Sequence, residues 1–214
     1  GSTDSSLPIL KKYELSHPRI KVIPQEKNRG PASARAVAAS VSKGKYLFLC
    51  DADDYMGRDC IERLLYFAES NEADAVLCNL MKERRSDSGV FYSHNEDLNL
   101  QEGKKMSGLE AFTESLDWSI HVHCLWSSRV AKDTMSNVCS ASASWNMDEY
   151  LSRLMYTKCR KVVIGRGKYF YTRNNNSISR SNRKGKKAET LIVDKKILDL
   201  CKYTHTYDKN VKEY

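Results

Sequence analysis

The short and mostly apolar run Lys45 to Cys50 passes directly into Asp51-Ala52-Asp53-Asp54. Runs of this kind are buried in parallel sheets. Open α/β sheets bind their ligands at the carboxyl ends of the strands, so three carboxylates fall where a ligand is expected. Crowded carboxylates repel one another and are more easily held ionised together around a divalent cation. Mg²⁺ or Mn²⁺ would take one or two of these acids and complete its shell with phosphate oxygens and water, which pairs a metal with a nucleoside diphosphate. By itself the tetrapeptide fits a polar turn closed by an N-capping Asp equally well.

The flanking segments predict an α/β context. Leu7 to Tyr13 reads as a short helix and Ile20 to Pro24 as a strand. Pro31 suits a first helical turn, Ala32 to Ser42 is rich in helix formers, and Gly44 is placed to close that helix with positive φ. Ile61, Leu64, Leu65 and Ala68 mark one face of a helix from about Asp59 to Asn71, and Ala75 to Leu80 gives another buried strand. The order strand, helix, strand, helix, strand predicts an α/β domain, a mostly parallel mixed sheet with helices on both faces.

Met81 to Lys105 is polar and poorly periodic, and reads as exposed connections with an edge hairpin around Val90 to Tyr92. Ser107 to Asp117 is expected to be helical, with Ser107 and Glu110 at capping-box spacing. Asn146 to Cys159 predicts a helix with Leu151, Leu154 and Met155 inward. Lys161 to Ile164 and Lys168 to Thr172 predict two strands, and Glu189 to Tyr203 a terminal helix.

Composition excludes several classes. The longest apolar runs, such as Ala73 to Leu80, fall far short of the roughly 20 residues of a spanning helix. The polar start, Gly1 to Ser6, lacks the features of a signal peptide. Seven cysteines without paired spacing predict reduced thiols and a cytoplasmic, at most membrane-peripheral, protein. The net charge of +8 is concentrated after Tyr150: no acid lies between Glu149 and Glu189, while Lys158, Arg160, Lys161, Arg166 and Lys187 do. An anionic partner follows. Aromatic and basic residues match no nucleic-acid-binding module, so no nucleic acid is expected, and a basic nucleic-acid-binding domain stays as an alternative.

Asn28-Arg29-Gly30-Pro31-Ala32-Ser33-Ala34-Arg35, followed by Gly44-Lys45-Tyr46 and Asp51-Ala52-Asp53-Asp54, resembles the signature of glycosyltransferase family 2. That signature reads N-x-G-x-x-x-A-R-N, then a G-(E/K)-Y strand running into D-x-D-D. Ala36 departs from the usual Asn. Thr3-Asp4-Ser5-Ser6 is similar to part of D-D-G-S-T-D-x-S, which implies that the first strand and helix precede this chain; Gly1-Ser2 also fits a cloning scar. Trp145-Asn146-Met147-Asp148-Glu149-Tyr150 is similar to the family's N-E-D-E-Y, with Met147 in place of an acid. Tyr169-Phe170-Tyr171-Thr172-Arg173 resembles the Y-x-Y-R segment of bacterial members.

The resemblance implies a GT-A fold, a three-layer α/β/α Rossmann-like arrangement. Residues 1–105 would form the donor half, 106–185 the acceptor and catalytic half, and 186–214 a terminal helix and tail. It further implies an inverting, metal-assisted glycosyltransferase using a nucleoside-diphosphate sugar, a UDP-sugar foremost, and a glycan or polyprenyl-diphosphate-linked acceptor at the inner face of the cell membrane. Asp4, Asn28, Gly30, Arg35, Asp51 and Asp53 are the implied donor-binding residues, and Asp53 with Asp51 the metal ligands for Mn²⁺ or Mg²⁺. Asp148 matches the catalytic base, which would take the acceptor proton. As a first-turn acid after a capping Asn146 it also fits ordinary helix-dipole pairing. Trp145, Glu149 and Arg173 are candidates for contacts to acceptor or diphosphate; Arg35 and Arg173 also fit solvated surface cations, and Trp145 a rim aromatic. An inactive nucleotide-binding member is the second alternative. His121 and His123 alternate without a third ligand and read as structural or exposed.

Overall fold

The computed structural model describes residues 1–83, 89–138, 147–172 and 185–204. Its frame is a mixed sheet of seven strands among these residues. Strand β1 (Tyr46–Phe48), β2 (Tyr55–Met56), β3 (Ala75–Glu83), β4 (Phe91–Ser93), β5 (Lys105–Met106), β6 (Cys124–Ser127) and β7 (Val162–Tyr171) are joined in the order β1-β6-β3-β7-β2. β4 adds to β3, and β5 to β7. The helices are α1 (Ser6–Ser16), α2 (Gly30–Val41), α3 (Cys60–Asn71), α4 (His94–Asp97), α5 (Gly108–Leu116), α6 (Ser128–Val138), α7 (Met147–Thr157) and α8 (Lys186–Tyr203).

The central strands alternate between two buried clusters, which is what a sheet covered on both faces requires. Ala75 and Leu77 of β3, with Val162 and Ile164 of β7, pack on one side with residues of α2, α5, α6, α7 and α8, including Phe112, Val130, Met155 and Ile197. Val76, Cys78 and Leu80, with Val163 and Tyr169, pack on the other side against Cys60, Leu64 and Ala68 of α3. The α/β/α layering is therefore the predicted one.

Strand direction is not. Among the described pairings only β3 with β7 is parallel; β1–β6, β6–β3, β3–β4, β7–β2 and β7–β5 are antiparallel. β1, β3 and β7 run one way and β6 is inserted against them. β1 is accordingly half-buried at one end of this strand order, not the fully buried parallel strand its apolar run predicts.

Four further expectations change. Ile20 to Pro24 forms no strand; Val22 N–H is instead taken by Glu14 Oε1 at 2.7 Å, and no ladder partner lies beside the segment among the described residues. α2 ends at Ser42, whose N–H bonds Ala38 and Ala39 carbonyls, and Gly44 has no positive φ; a Cβ there would come within 2.9 Å of Tyr46 O. Met81 to Lys105 does form the expected hairpin, β4 against β3, but it is not merely exposed connection, since it adds α4 and buries Ser93 and Asn95.

The two predicted strands after Lys161 form one strand, β7, with an irregularity. Leu77 and Asn79 face Ile164 and Lys168, so β7 has two extra residues there. Gly165 and Gly167 lie in the irregular stretch because β3 presses on the first and α3 on the second. A Cβ on Gly165 would come 2.7 Å from Val76 Cγ1, and one on Gly167 would run into the Cys60 carbonyl and Leu64. The helices over Asp59 to Asn71, Ser107 to Asp117 and Glu189 to Tyr203 form as expected, the second with its complete Ser107/Glu110 capping box.

Candidate active site

Because β1 and β7 run in the same direction, their carboxyl ends meet at one edge, and the acidic turn after β1 lies against Tyr169 to Thr172. Asp54 N–H bonds Asp51 O at 3.1 Å, closing the turn. Tyr169 clamps it from inside: its hydroxyl accepts from Asp51 N–H at 3.2 Å and donates to Asp54 Oδ2 at 2.6 Å. Asp54 Oδ1 accepts from Thr172 N–H at 2.9 Å, and the Thr172 hydroxyl donates to Asp53 O. Burial raises the Asp54 carboxyl above its usual range, against the pull of these donors, and burial followed by the bond to Asp54 raises the Tyr169 phenol. Asp54 is thus a staple that faces inward, while Asp53 is exposed at the tip of the turn.

Asp51 is held by Arg35. Gly30 opens α2 at φ +81, a conformation natural to glycine, and Asn28 Oδ1 accepts its N–H at 2.9 Å. Five residues on, Arg35 places its guanidinium 2.7 Å from Asp51 Oδ1 and 4.0 Å from Asp148 Oδ2. With its side chain 19% exposed, burial opposes the Arg35 charge, but the adjacent Asp51 outweighs it and the guanidinium stays firmly protonated. Ala36, where the motif has Asn, is buried in the core, so a small side chain suits this position.

The two acids at the start of α7 diverge. Asp148 is 57% exposed and turned towards Arg35, whereas the less exposed Glu149 lies 3.4 Å from the fully buried Arg153. Arg153 in turn donates to Ser115 O and lies 4.9 Å from the Trp118 ring centre. Burial raises the Glu149 carboxyl. One step along a helix turns a side chain by about 100°, which separates these neighbours. Met147, in place of an acid, is a core residue.

The structure therefore gathers Arg35, Asp51, Asp53 and Asp148, with Asn28 and Gly30 shaping the approach of α2. Asp4 is engaged elsewhere, its Oδ1 accepting from Ser6 N–H at the start of α1, and the Ser6 side chain followed by that N–H lowers its carboxyl. Trp145 and Arg173 lie outside the described residues. Among the described residues no three His, Cys, Asp or Glu side chains converge on a metal position. The hard oxygen donors at this edge are Asp51 and Asp53, a set that suits Mg²⁺ or Mn²⁺ only together with phosphate and water oxygens.

Sequence reasoning leaves out two residues here. Tyr169 belongs to the Y-x-Y-R match, which signals the clamp without showing what it holds. His123 stacks on Tyr169 with ring centres 5.0 Å apart and planes at 25°. Behind it His121 is buried, with Nε2 3.1 Å from Cys78 O and 3.0 Å from Asn95 Oδ1, while Nδ1 accepts from His123 N–H. Acceptors on one nitrogen and a donor on the other keep His121 neutral, and burial lowers its basicity well below normal. Burial also pulls His123 down to about 4.

The basic stretch after Tyr150 is less bare than its composition implies. Lys158 pairs with Asp133, Arg160 with Asp74, and Arg166 with Glu102.

A family model described as Glycosyl transferase family 2 matches residues 1–132. The chain is 34% identical over 106 residues to poly(ribitol-phosphate) beta-glucosyltransferase of Bacillus spizizenii, covering 48% of this chain and 17% of that protein. It is 27% identical over 186 residues to glycosyltransferase GlyG of Streptococcus pneumoniae, covering 85% of this chain and 61% of the relative. Among solved structures, S. aureus TarS 1-349 in complex with UDP-GlcNAc superposes with a TM-score of 0.69 at 17% identity, over 92% of this chain and 55% of that one. The chain thus spans less than two thirds of each of these proteins.

Proposed function

Because the chain belongs to glycosyltransferase family 2, we propose that it moves a sugar from a nucleoside-diphosphate sugar to a glycan or polyprenyl-diphosphate-linked acceptor, with inversion and with help from Mn²⁺ or Mg²⁺. The observation that carries this reading is the position of Arg35, one guanidinium in reach of both the acidic turn after β1 and Asp148. A donor held at the turn would then have Asp148 across the sugar from its leaving group. The similar TarS structure holds UDP-GlcNAc, which favours a UDP-sugar as donor. The name of the Bacillus relative favours a phosphate-rich glycan as acceptor.

In the proposed reaction the acceptor oxygen attacks the anomeric carbon and its proton passes to Asp148. The bond from that carbon to the β-phosphate oxygen breaks, and its electron pair leaves with the nucleoside diphosphate. Attack opposite the leaving group inverts the centre. Arg35 keeps Asp51 and Asp148 oriented around one fixed positive charge, and Tyr169 and Thr172 keep the turn in shape beneath the donor. Asp53 and Asp51 would hold the cation, which when bound supplies charge to offset that building on the leaving phosphate. Among the described residues no helix is long and apolar enough to cross a membrane; we place the protein in the cytoplasm, meeting a lipid-linked acceptor from the inner membrane face.

Calorimetry with UDP, with and without Mn²⁺, tests the reading. Binding should depend on Mn²⁺ and the Mn²⁺-dependent part should vanish in Asp53→Ala, whose exposed side chain contributes little packing. Binding that is equal in the variant would remove Asp53 from the metal site.

A further inference from the structure

His123 sits at the candidate site in a setting that a structural or exposed histidine does not explain. Its half-buried ring stacks on Tyr169, whose hydroxyl holds the acidic turn, with Tyr171 at 6.3 Å and His121 at 6.0 Å between ring centres. After burial, the charges that act on it are Asp51 and Asp148, which favour its protonated form, and Arg35 and Lys82, which oppose it. Its backbone is pinned by the bond to His121 Nδ1 and by Cys78 N–H donating to its carbonyl. Its two ring nitrogens, in contrast, make no hydrogen bond with the described residues and are not among the fully buried atoms without a partner, so they are open to water or a ligand.

We infer that His123 determines donor specificity by hydrogen-bonding a hydroxyl group of the transferred sugar. The inference rests on the donor site proposed above. The ring stacks on Tyr169, whose hydroxyl holds both Asp51 and Asp54, so it lies beside the turn where the proposed donor would present its sugar. The neutral imidazole, kept so by burial and by the cations Arg35 and Lys82, carries one N–H donor and one acceptor nitrogen, which suits a hydroxyl and not a phosphate. Stacking on Tyr169 fixes the ring plane, so those two nitrogens present a set direction to the ligand.

The test compares wild type with His123→Phe, which keeps the stacking and removes both nitrogens, and with His123→Asn, which keeps a donor and an acceptor. Affinities for UDP, UDP-glucose, UDP-GlcNAc and their singly deoxygenated sugars are measured by calorimetry in the presence of Mn²⁺. The expected result is that His123→Phe binds UDP as wild type does but loses about tenfold for the preferred UDP-sugar, the size of one hydrogen bond. His123→Asn should recover part of that loss. One deoxy donor should bind wild type and His123→Phe equally. The same UDP-sugar to UDP affinity ratio in wild type and His123→Phe would overturn the inference while leaving the donor site standing. If His123→Phe does not fold, wild-type affinities decide: a tenfold loss for one deoxy donor, rescued in none of the others, supports the contact, and equal affinity for all of them overturns it. A wild type that binds no UDP would overturn the donor site and this inference together.

Discussion

Arg35 and Asp51 form an ion pair of 2.7 Å that ties helix α2 to the turn after β1, and the other end of the same guanidinium stands 4.0 Å from Asp148. Replacing Arg35 with Met keeps the length and apolar stem of the side chain and removes the shared charge. Asp51 is partly exposed, so stability should change by less than about 1 kcal/mol. Sugar transfer should fall by at least about tenfold as both acids lose their common anchor. Arg35→Lys should not rescue it, since one ammonium cannot span two carboxylates as a planar guanidinium does. Paired urea unfolding and transfer assays check both halves of the expectation.

Asp148→Asn keeps shape and polarity but removes most of the proton affinity. Transfer should drop by roughly 10²–10⁴, the contribution of a general base, with donor affinity retained. Glu149 should not take over, because it faces Arg153. Transfer rates near wild type in this variant would exclude Asp148 as the base.

Tyr169→Phe removes one hydroxyl that serves both ends of the acidic turn. The Asp51 N–H loses its partner and Asp54 keeps only Thr172, so the fold should be destabilised by about 1–3 kcal/mol. Nucleotide affinity should weaken with it, whereas the stacking surface offered to His123 stays. A denaturation midpoint equal to that of wild type would show that the clamp contributes nothing.

Acid should unfold the protein earlier than its carboxylates alone require. His121 and His123 are held below the ordinary histidine value of about 6.5, His123 at about 4. Above pH 6.5 both are neutral folded or unfolded, and their contribution is fully present. As pH falls from 6.5 towards 4 the unfolded chain takes up these protons and the folded one does not, so stability declines, by about 3 kcal/mol for a shift like that of His123. Urea midpoints measured at pH 7 and pH 4.5 should differ in that sense, and His123→Phe should reduce the difference.

The capping box of α5, the N-terminal Pro of α2 and the strand-to-acid junction at Cys50 were readable because each is a pattern of bonds or burial within a few residues. Motif spacing made Arg35, Asp51, Asp53 and Asp148 legible as candidates. The extra residues in β7 were not: the glycines at 165 and 167 look like a strand break until β3 and α3 are packed against them. His123 was passed over for a similar reason, as alternation in sequence says nothing about a ring stacked on Tyr169.

By itself the sequence determined that strands alternate with helices from Gly30 on and that acids follow the strand at Tyr46, since side-chain periodicity and local hydrogen bonding depend on near neighbours. Tertiary structure alone decided what each acid does. Asp54 meets Tyr169 across 115 positions of chain and turns inward, Asp51 meets Arg35 across 16, and Asp53 stays at the exposed tip. It also decided that β6 enters the sheet against its neighbours. Apolar alternation is the same in both directions along a strand, so direction is set by how the connecting segments cross the sheet, and three adjacent carboxylates acquire different roles only from partners that the fold brings from far away.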